Sequence, residues 1–211
     1  MEATMSRLPD PFTDTIAPGF VGARLTDNSP TIYDEMPNGM VLRVKSSAQF
    51  WSLELPYPEL FYEEYAYLSS FLAEVQRTGG TIDVLLPHYE NFRINGDTSL
   101  CSIPSGQKGS TLLINGISNL TGRPNIGDLF KLSEGTKVYK ITGYVVDTLT
   151  DTATLSLYPD LAHTTTGSEK PVFNGVLLTM VLQDDNLPTE DPDVDGLYRG
   201  FQINLREQIN G

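Results

Sequence analysis

The sequence predicts a mainly β protein that carries one α-helix and a small inserted β-barrel. Short apolar runs alternate with polar residues and are separated by Gly, Pro, Asn and Asp, which is typical of half-buried strands joined by turns. A single long stretch, residues 58–80, has the spacing of a helix instead. From about residue 91 aromatic residues become rare, and several short strands rich in Ser, Thr and Gly predict the barrel.

The composition excludes several classes of protein. Of the 211 residues, 39% are hydrophobic, which is enough for a sizeable core. The net charge of −13 disfavours stable binding of nucleic acid and of anionic membranes. No apolar run approaches the roughly 20 residues of a membrane span, so membrane insertion is not expected, and the first residues lack the apolar segment of a signal peptide. The lone cysteine, Cys101, is predicted to be a small core residue rather than a nucleophile.

The part of the chain before the helix predicts an irregular arm and two strands. Residues 1–30 are rich in proline and predict an extended arm. Apolar and polar residues then alternate along MVLRVKS and again along FWSLELP, which predicts two half-buried strands. The turn signal PNG at residues 37–39 opens the first of these strands.

The segment PELFYEEYAYLSSFLAEVQRTGG, residues 58–80, predicts an amphipathic helix. Glu63 and Glu64 lie near its positive N-terminal end, Arg77 lies near its negative end, and one of the two closing glycines can end it in the left-handed conformation. We expect the apolar stripe to cover a sheet of the outer domain, and the exposed acids Glu63 and Glu64 are the candidate contact residues. The stripe consists of Phe61, Tyr65, Leu68, Leu72 and Val75.

The later chain predicts an outer domain that is interrupted by the barrel. TIDVLLP precedes the insertion, and VFNGVLLTMVLQ and LYRGFQINLRE follow it as further strands. Inside the insertion the predicted strands are SLCSI, STLLIN, DLFKL, KVYKITGYVV and TATLSLY, with turn-like segments between them. The predicted domains are therefore residues 1–90 with 171–211 for the discontinuous outer domain and residues 91–170 for the barrel.

The acidic loop DPDVDG, residues 191–196, has the beginning of a calcium-binding loop. Carboxylates occupy its first, third and fifth positions, and Gly occupies its sixth. The match then fails, because the twelfth position is Gln202 rather than a glutamate and because strands rather than helices flank it. The pattern favours a solvated acidic loop, and whether the longer segment 184–196 binds a cation stays open.

Other candidate centres of chemistry are weak. His88 and His163 lie far apart in the sequence without the neighbours of a metal motif, and SGQKGST departs from the phosphate-loop pattern because its lysine precedes the second glycine. No serine lies in a nucleophile elbow, and no pair of carboxylates stands out for glycoside cleavage. We therefore predict no catalytic, metal-binding or cofactor-binding residue and no enzymatic activity.

Three aromatic residues of the predicted barrel allow two interpretations. Phe130, Tyr139 and Tyr144 lie in strand-like segments. Aromatic side chains on such barrels can stack on sugars or bases, but they more often fill the core. The acidic charge argues against nucleic acid and leaves saccharide as the alternative ligand. Core packing is the favoured interpretation.

The ordered set of segments resembles the distal tail proteins (Dit) of long, flexible-tailed bacteriophages (siphoviruses), in particular those of the large coliphage type. The resemblance rests on SRLPDPFTD, on LPYPELFYEEYAYLSSFLAEVQRTGGTIDVLLPHYENFR, and on IPSGQKGS, GDLFKLSEGTKVYKIT and LSLYPDLAHTTTGSEKPVFNGVLL. It spans nearly the whole chain. It weakens in the acidic loop from residue 184 to 196, so no role is transferred there.

The resemblance implies both an architecture and a function. The implied architecture is a β-sandwich-like domain related to tail-tube proteins, flanked by one helix, with an inserted five-stranded barrel of the oligonucleotide/oligosaccharide-binding (OB) type. The implied function is that of a structural virion protein of the tail tip, assembled in the host cytoplasm. Its expected form is a homo-hexameric ring that joins the tail tube protein to the baseplate hub protein and continues the DNA channel.

Further expected partners are tail fibre or collar proteins and the tape measure. An alternative function is that of a carbohydrate-binding module, which would use the barrel to aid attachment to the host surface. No catalytic residues are implied by the resemblance.

Overall fold

The computed structural model describes residues 5–11, 14–45, 49–86, 93–183 and 192–209. Over these residues it has fifteen β-strands and one α-helix, so the prediction of a mainly β fold with one helix is confirmed. In chain order the elements are β1 (Met5–Arg7), β2 (Arg24–Asn28), β3 (Thr31–Glu35), β4 (Val41–Lys45), β5 (Phe50–Pro56), α1 (Tyr62–Thr78), β6 (Thr81–Leu85), β7 (Asn95–Gly96), β8 (Thr111–Asn115), β9 (Leu120–Thr121), β10 (Leu129–Leu132), β11 (Val138–Asp147), β12 (Thr152–Tyr158), β13 (Pro171–Val172), β14 (Leu177–Leu182) and β15 (Gln202–Glu207).

The chain divides into two compact units. The first comprises Met1–Asp83 with Met180–Gln208, and the second comprises Val84–Thr179 with Ile209–Gly211. The chain therefore leaves the first unit within β6 and returns to it within β14. The domain boundaries given above, at residues 90/91 and 170/171, stay a prediction.

A six-stranded sheet has the order β1-β6-β14-β15-β5-β2. Its strand β5 pairs antiparallel with both β15 and β2, so Leu53 lies opposite Leu205 on one side and Leu25 on the other. The alternation predicted for this strand buries Trp51, Leu53 and Leu55. Burial of each large apolar side chain contributes about 2 kcal/mol relative to leaving it in water.

Strands β1 and β2 lie within the segment that the sequence predicts to be an irregular arm. β1 pairs in parallel with β6, with Ser6 opposite Ile82, and β2 pairs along its whole length with β5. Both are edge strands of the sheet. An edge strand packs against fewer neighbours and needs less apolar alternation, and RLTDN of β2 contains a single large apolar residue. The prediction of an irregular arm is therefore wrong at these two places.

Helix α1 begins at Tyr62, later than the predicted residue 58. The preceding residues are extended because Leu60 and Tyr198 form an antiparallel bridge, in which each N–H donates to the other's carbonyl oxygen at 3.0 Å. The helix ends at Thr78, and the following Gly79 caps it, with a left-handed φ of 63° and an N–H that donates to a carbonyl of the last turn. The predicted C-terminal end is therefore close to the observed one, whereas the N-terminal end depends on a contact that lies far away in the sequence.

Strands β3 and β4 form a separate two-stranded antiparallel sheet, and we call residues 31–45 the hairpin. Its turn contains Pro37 and Gly39, the predicted turn signal. The N–H of Gly39 donates to Met36 O at 2.9 Å, and Gly39 adopts a φ of 78°. The N–H of Met36 in turn donates to Met40 O at 2.9 Å, so the pairing continues beyond the strands to the turn. Strand β3 was not anticipated from the sequence.

A five-stranded sheet with the order β13-β10-β11-β12-β8 lies in the second unit. All four of its pairings are antiparallel, and a bulge between Ile141 and Gly143 interrupts the register of β11 with β12. Strands β8, β10, β11 and β12 correspond to predicted strands. Closure of this sheet into an OB-like barrel stays a prediction, as does the sandwich-like description of the first unit.

Two predicted strands of this part of the chain are wrong in detail. SLCSI is not a strand, because Thr98–Leu100 form a 3-10 turn that Asp97 caps through a 2.9 Å hydrogen bond from Ser99 N. VFNGVLLTMVLQ divides into β13 and β14, which are separated by a bend at Gly175, where φ is 59°. In both places a short polar or glycine-containing turn interrupts an apolar run.

The edge strand β8 of the five-stranded sheet is covered by its own chain. Gln107 Oε1 accepts from Leu113 N at 2.6 Å, and Gln107 Nε2 donates to Leu113 O at 3.0 Å, as a neighbouring strand would. Ser102 and Asn115 also exchange two backbone hydrogen bonds, of 3.1 and 2.9 Å. These contacts satisfy groups that an uncovered edge would offer to another chain.

Candidate functional site

Four of the five residues of the predicted helix stripe are buried: Tyr65, Leu68, Leu72 and Val75. Phe61 is the exception, because it lies at the N-cap before the first helical turn and is 64% exposed. Its placement in the stripe is wrong, since helical spacing does not apply to a residue with extended backbone.

The two acids near the start of α1 have different surroundings. Glu63 is exposed. Glu64 Oε2 accepts a 2.9 Å hydrogen bond from Phe61 N, which satisfies one of the N–H groups that a helix start leaves without a partner. Glu64 is therefore engaged in capping, and Glu63 is the better candidate for an external contact.

An aromatic cluster surrounds Tyr65. Its ring stacks on Tyr198 with centroids 3.9 Å apart and meets Phe201 edge-on at 5.4 Å. Tyr57 meets Phe201 at 5.5 Å and Phe20 at 6.4 Å, again edge-on. The cluster joins α1 to the residues before β15. The sequence carries a weak indication of it, since Tyr198 and Phe201 are the aromatic residues of LYRGF, but it does not pair them with the helix.

The Tyr57 hydroxyl in this cluster is buried and has no hydrogen-bond partner among the described residues. Burial raises the pKa of Tyr57 well above its usual value, and the negative charge of Asp10 raises it further. The hydroxyl is therefore neutral at physiological pH, and it is not prepared to act as a base.

The acidic loop is organised by a guanidinium group. Arg199 Nη2 lies 2.7 Å from Asp195 Oδ2, Arg199 Nη1 contacts Asp193 Oδ2, and Arg199 Nε lies 2.9 Å from Glu59 Oε1. Hydrogen bonds from Arg199 and from Leu197 N hold the pKa of Asp195 below its usual value. Two carboxylates of the calcium-like pattern thus bind a side chain of the same protein, and the first, Asp191, lies outside the described residues.

Among the described residues, no three His, Cys, Asp or Glu side chains come together in a way that could hold a metal ion. Of the two histidines, His88 lies outside the described residues. His163 Nε2 lies 3.8 Å from Glu169 Oε1, and the Glu169 carboxylate is buried and accepts from Thr166 N and Gly167 N at 2.8 and 2.9 Å. These contacts fasten the loop before β13.

Two of the three candidate saccharide residues are buried inside the second unit. Phe130 contacts the ring of Phe173 at 5.2 Å, and the Tyr139 hydroxyl accepts from Ala162 N at 3.1 Å. Tyr144 is half-buried and packs against the same core. The favoured interpretation, core packing, agrees with these positions, and neither Phe130 nor Tyr139 presents a ring face on which a sugar could stack.

Cys101 belongs to the same core. Its side chain is buried, its Sγ lies 3.4 Å from Gly116 O, and burial raises the pKa of its thiol. A thiol with a raised pKa is less often ionised and is a poor nucleophile at neutral pH.

Among the described residues, no helix is long and apolar enough to cross a membrane.

The conspicuous residues of both units therefore pack, cap or fasten loops, as expected of a mainly β structural protein. The family described as Distal tail protein pb9, A domain, N-terminal, matches residues 8–89, and the family described as Distal tail protein pb9, B domain, matches residues 90–176. The chain is also 51% identical over 205 residues to the distal tail protein pb9 of Escherichia phage T5. The matched region covers 96% of this chain and 100% of the relative. The chain belongs to the distal tail protein family of bacteriophages, and it is a structural component of the virion tail.

Proposed function

We propose that the protein forms a homo-hexameric ring at the tail tip, joins the tail tube protein to the baseplate hub protein, and continues the DNA channel. The observation that carries this proposal is the 51% identity to a distal tail protein along 96% of the chain. A protein at the far end of a tail tube has to connect the tube to the next component and leave a passage for DNA.

The topology of the first unit supports ring formation. The six-stranded sheet ends in β1 on one side and in β2 on the other. An edge strand carries backbone groups that pair readily with a strand of another molecule. In a closed ring each copy offers two different surfaces to its two neighbours, and a sheet with two edge strands fits that requirement.

The charge of the chain supports passage of DNA without binding. The sequence contains 27 acidic and 14 basic residues. Binding to the phosphate backbone depends on clustered Lys and Arg, and an acidic surface repels phosphate instead. An acidic ring would therefore let DNA slide through its channel.

Electron microscopy tests this proposal directly. The purified chain is imaged alone and after mixing with the tail tube and hub proteins of the same phage, and intact virions are imaged at the tail tip. We expect six-fold rings at the ends of the tubes and matching density at the tail tip. Monomers in every mixture, together with tail tips that lack this protein, would contradict the proposal.

The remaining expected partners are part of the same proposal. We propose that tail fibre or collar proteins and the tape measure contact the ring. We also propose that the ring is assembled in the host cytoplasm. Cross-linking of purified virions followed by mass spectrometry should join peptides of this chain to peptides of those proteins. Cross-links to the tube and hub alone would remove the fibre, collar and tape-measure contacts from the proposal.

The carbohydrate-binding alternative has less support, because Phe130 and Tyr139 are buried. Tyr144 is its remaining candidate residue. A glycan array that compares the unaltered protein with Tyr144→Ala would revive the alternative if a saccharide bound only the unaltered protein.

We also propose that the protein has no enzymatic role, and turnover of a polysaccharide by the purified protein would contradict this.

A further inference from the structure

Asparagine is followed directly by glycine at five places in the chain, namely residues 38–39, 95–96, 115–116, 174–175 and 210–211. Asparagine is one of the thermolabile residues of proteins, because the backbone nitrogen of the next residue can attack its side-chain amide. A following glycine favours this attack, since it has no side chain in the way and its backbone has the widest conformational freedom. Which of the pairs reacts therefore depends on how firmly the structure holds each one. The last pair lies outside the described residues.

The pair Asn115 and Gly116 is held within the second unit. Asn115 ends β8 in the five-stranded sheet, and it exchanges two backbone hydrogen bonds with Ser102, of 2.9 and 3.1 Å. The N–H of Gly116, which would supply the attacking nitrogen, donates to Asp151 O at 2.9 Å. Hydrogen bonds to two other segments would have to open together before this pair could react.

Two further pairs of the second unit are also restrained. Asn174 Nδ2 donates to Ile94 O at 2.8 Å, so the amide that would be attacked is tied to another segment. Asn95 lies in β7, which pairs with β9. The glycine that follows it, Gly96, is packed so closely that an added Cβ would lie 2.2 Å from Asn119 O. Neither pair can change its backbone conformation without moving a neighbouring segment.

The pair Asn38 and Gly39 lies instead at the exposed turn of the hairpin. Asn38 Oδ1 accepts from Met40 N at 3.0 Å, and Gly39 N donates to Met36 O at 2.9 Å. Both hydrogen bonds lie within the turn itself rather than joining it to another segment. A two-stranded sheet by itself is marginally stable in water, so the turn opens at a low cost in free energy and frees the nitrogen of Gly39.

We propose that Asn38 is a site of spontaneous deamidation. Gly39 N forms a bond to Asn38 Cγ, the bond from Cγ to Nδ2 breaks, and Nδ2 leaves as ammonia with the proton of the Gly39 N–H. Water then opens the resulting five-membered succinimide ring at one of its two carbonyls. The product is aspartate or isoaspartate, depending on which carbonyl the water attacks, and neither step oxidises or reduces the protein.

The modification changes both the charge and the backbone of the hairpin. Residues 31–45 contain two acidic and two basic residues, so the new carboxylate changes the net charge of the hairpin from zero to −1. In isoaspartate the main chain also runs through Cβ and Cγ, which lengthens it by one atom. The turn hydrogen bond from Gly39 N to Met36 O depends on the original length, so we expect isoaspartate to disrupt it.

Peptide mapping of the full chain by mass spectrometry measures the conversion at each pair. The purified protein is incubated in its folded state at mildly alkaline pH, which favours loss of the proton from the attacking nitrogen. We expect Asn38 to convert on the order of tenfold faster than Asn95, Asn115 or Asn174, because its turn opens more readily. Conversion of any of these three as fast as Asn38, or a folded protein in which Asn38 stays unconverted, would overturn the proposal.

Two comparisons separate the effect of the structure from that of the local sequence. Asn125 is also exposed but is followed by Ile126, whose β-branched side chain obstructs the attack, so it should stay unconverted over the same period. In urea the four described pairs should convert at similar rates, because the unfolded chain restrains none of them. Conversion of Asn125 together with Asn38, or a preference for Asn38 that persisted in urea, would overturn the role given to the turn.

Asn38→Ser is the matched variant. Serine keeps an oxygen that can accept from Met40 N, but it has no amide to release. Ion-exchange chromatography resolves the more acidic form of the protein that deamidation produces. We expect this form to accumulate more slowly in Asn38→Ser than in the unaltered protein, and equal accumulation in the two would overturn the proposal. The modification does not depend on the proposed ring, so images of the tail tip and this measurement are judged separately.

Discussion

The ring of Tyr65 in α1 lies parallel to the ring of Tyr198, with an angle of 4° between their planes and 3.9 Å between their centroids. The same two segments are joined by the backbone bridge between Leu60 and Tyr198. The helix is therefore fastened at its start to the residues that follow the acidic loop. This contact explains both where α1 begins and how the acidic loop returns to β15.

We predict that Tyr198→Ala lowers the free energy of unfolding of the first unit by about 2 kcal/mol, because it removes a stacked aromatic pair and part of a buried cluster. Urea unfolding followed by fluorescence measures this, since the single tryptophan, Trp51, is buried in the same unit. Tyr62→Ala is the control, because Tyr62 is 64% exposed and its loss should change the stability by less than about 0.5 kcal/mol. Equal effects of the two substitutions would show that the stack contributes nothing.

We predict that Leu68→Asp unfolds the first unit. Leu68 is completely buried, and an unpaired carboxylate in its place costs roughly 4 kcal/mol or more. The same fluorescence assay and circular dichroism would detect the loss of structure. Ala73→Asp, at an exposed position of the same helix, should cost well under about 1 kcal/mol. A folded Leu68→Asp protein that had lost only a binding partner would identify the stripe as an interface instead.

We predict that Gly122→Ala destabilises the second unit by about 3 kcal/mol or more. Gly122 has a φ of 88°, and an added Cβ would lie 1.7 Å from Arg93 O, so the backbone would have to move. Gly127→Ala is the matched control, since Gly127 has a φ of 98° but no atom lies within 4 Å of the added Cβ. It should cost about 1 kcal/mol from backbone strain alone. Calorimetric melting of both variants measures the difference, and equal melting temperatures would refute the steric argument.

We predict that the stability of the second unit decreases at acidic pH because of Glu169. Burial by itself would raise the pKa of Glu169, but hydrogen bonds from Thr166 N and Gly167 N hold it below its usual 4.5. The folded protein therefore binds this proton less readily than the unfolded chain. The stabilisation is fully present above pH 4.5 and is lost as the pH falls through the lowered pKa of the folded state.

Glu169→Gln tests this pH dependence. At pH 7 the substitution should cost about 1–3 kcal/mol, because it replaces a charged acceptor of backbone N–H groups. The difference from the unaltered protein should shrink towards zero as the pH is lowered below 4.5. Glu134→Gln is the control, since Glu134 is exposed, and it should show little effect at either pH. A cost of Glu169→Gln that stayed constant with pH would contradict the assignment.

Much of the architecture follows from patterns that are local in the sequence. Three features depend only on residues that are close together in the sequence. They are the alternation of β5, the glycine that caps α1, and the helical spacing of Tyr65, Leu68, Leu72 and Val75. These patterns also identify the class of fold, because the period of apolar residues differs between strands and helices. The family could be named from the order of segments along the chain.

The tertiary structure decided what depends on residues distant in the sequence. The start of the helix depends on the Leu60–Tyr198 bridge. Strands β1 and β2 form because β6 and β5 supply their hydrogen-bond partners. The carboxylates of the calcium-like loop bind Arg199. Burial separated Phe130 and Tyr139 from any surface role. An edge strand, a long-range ion pair and the exposure of an aromatic ring leave no periodic pattern, because each depends on which segments meet in space.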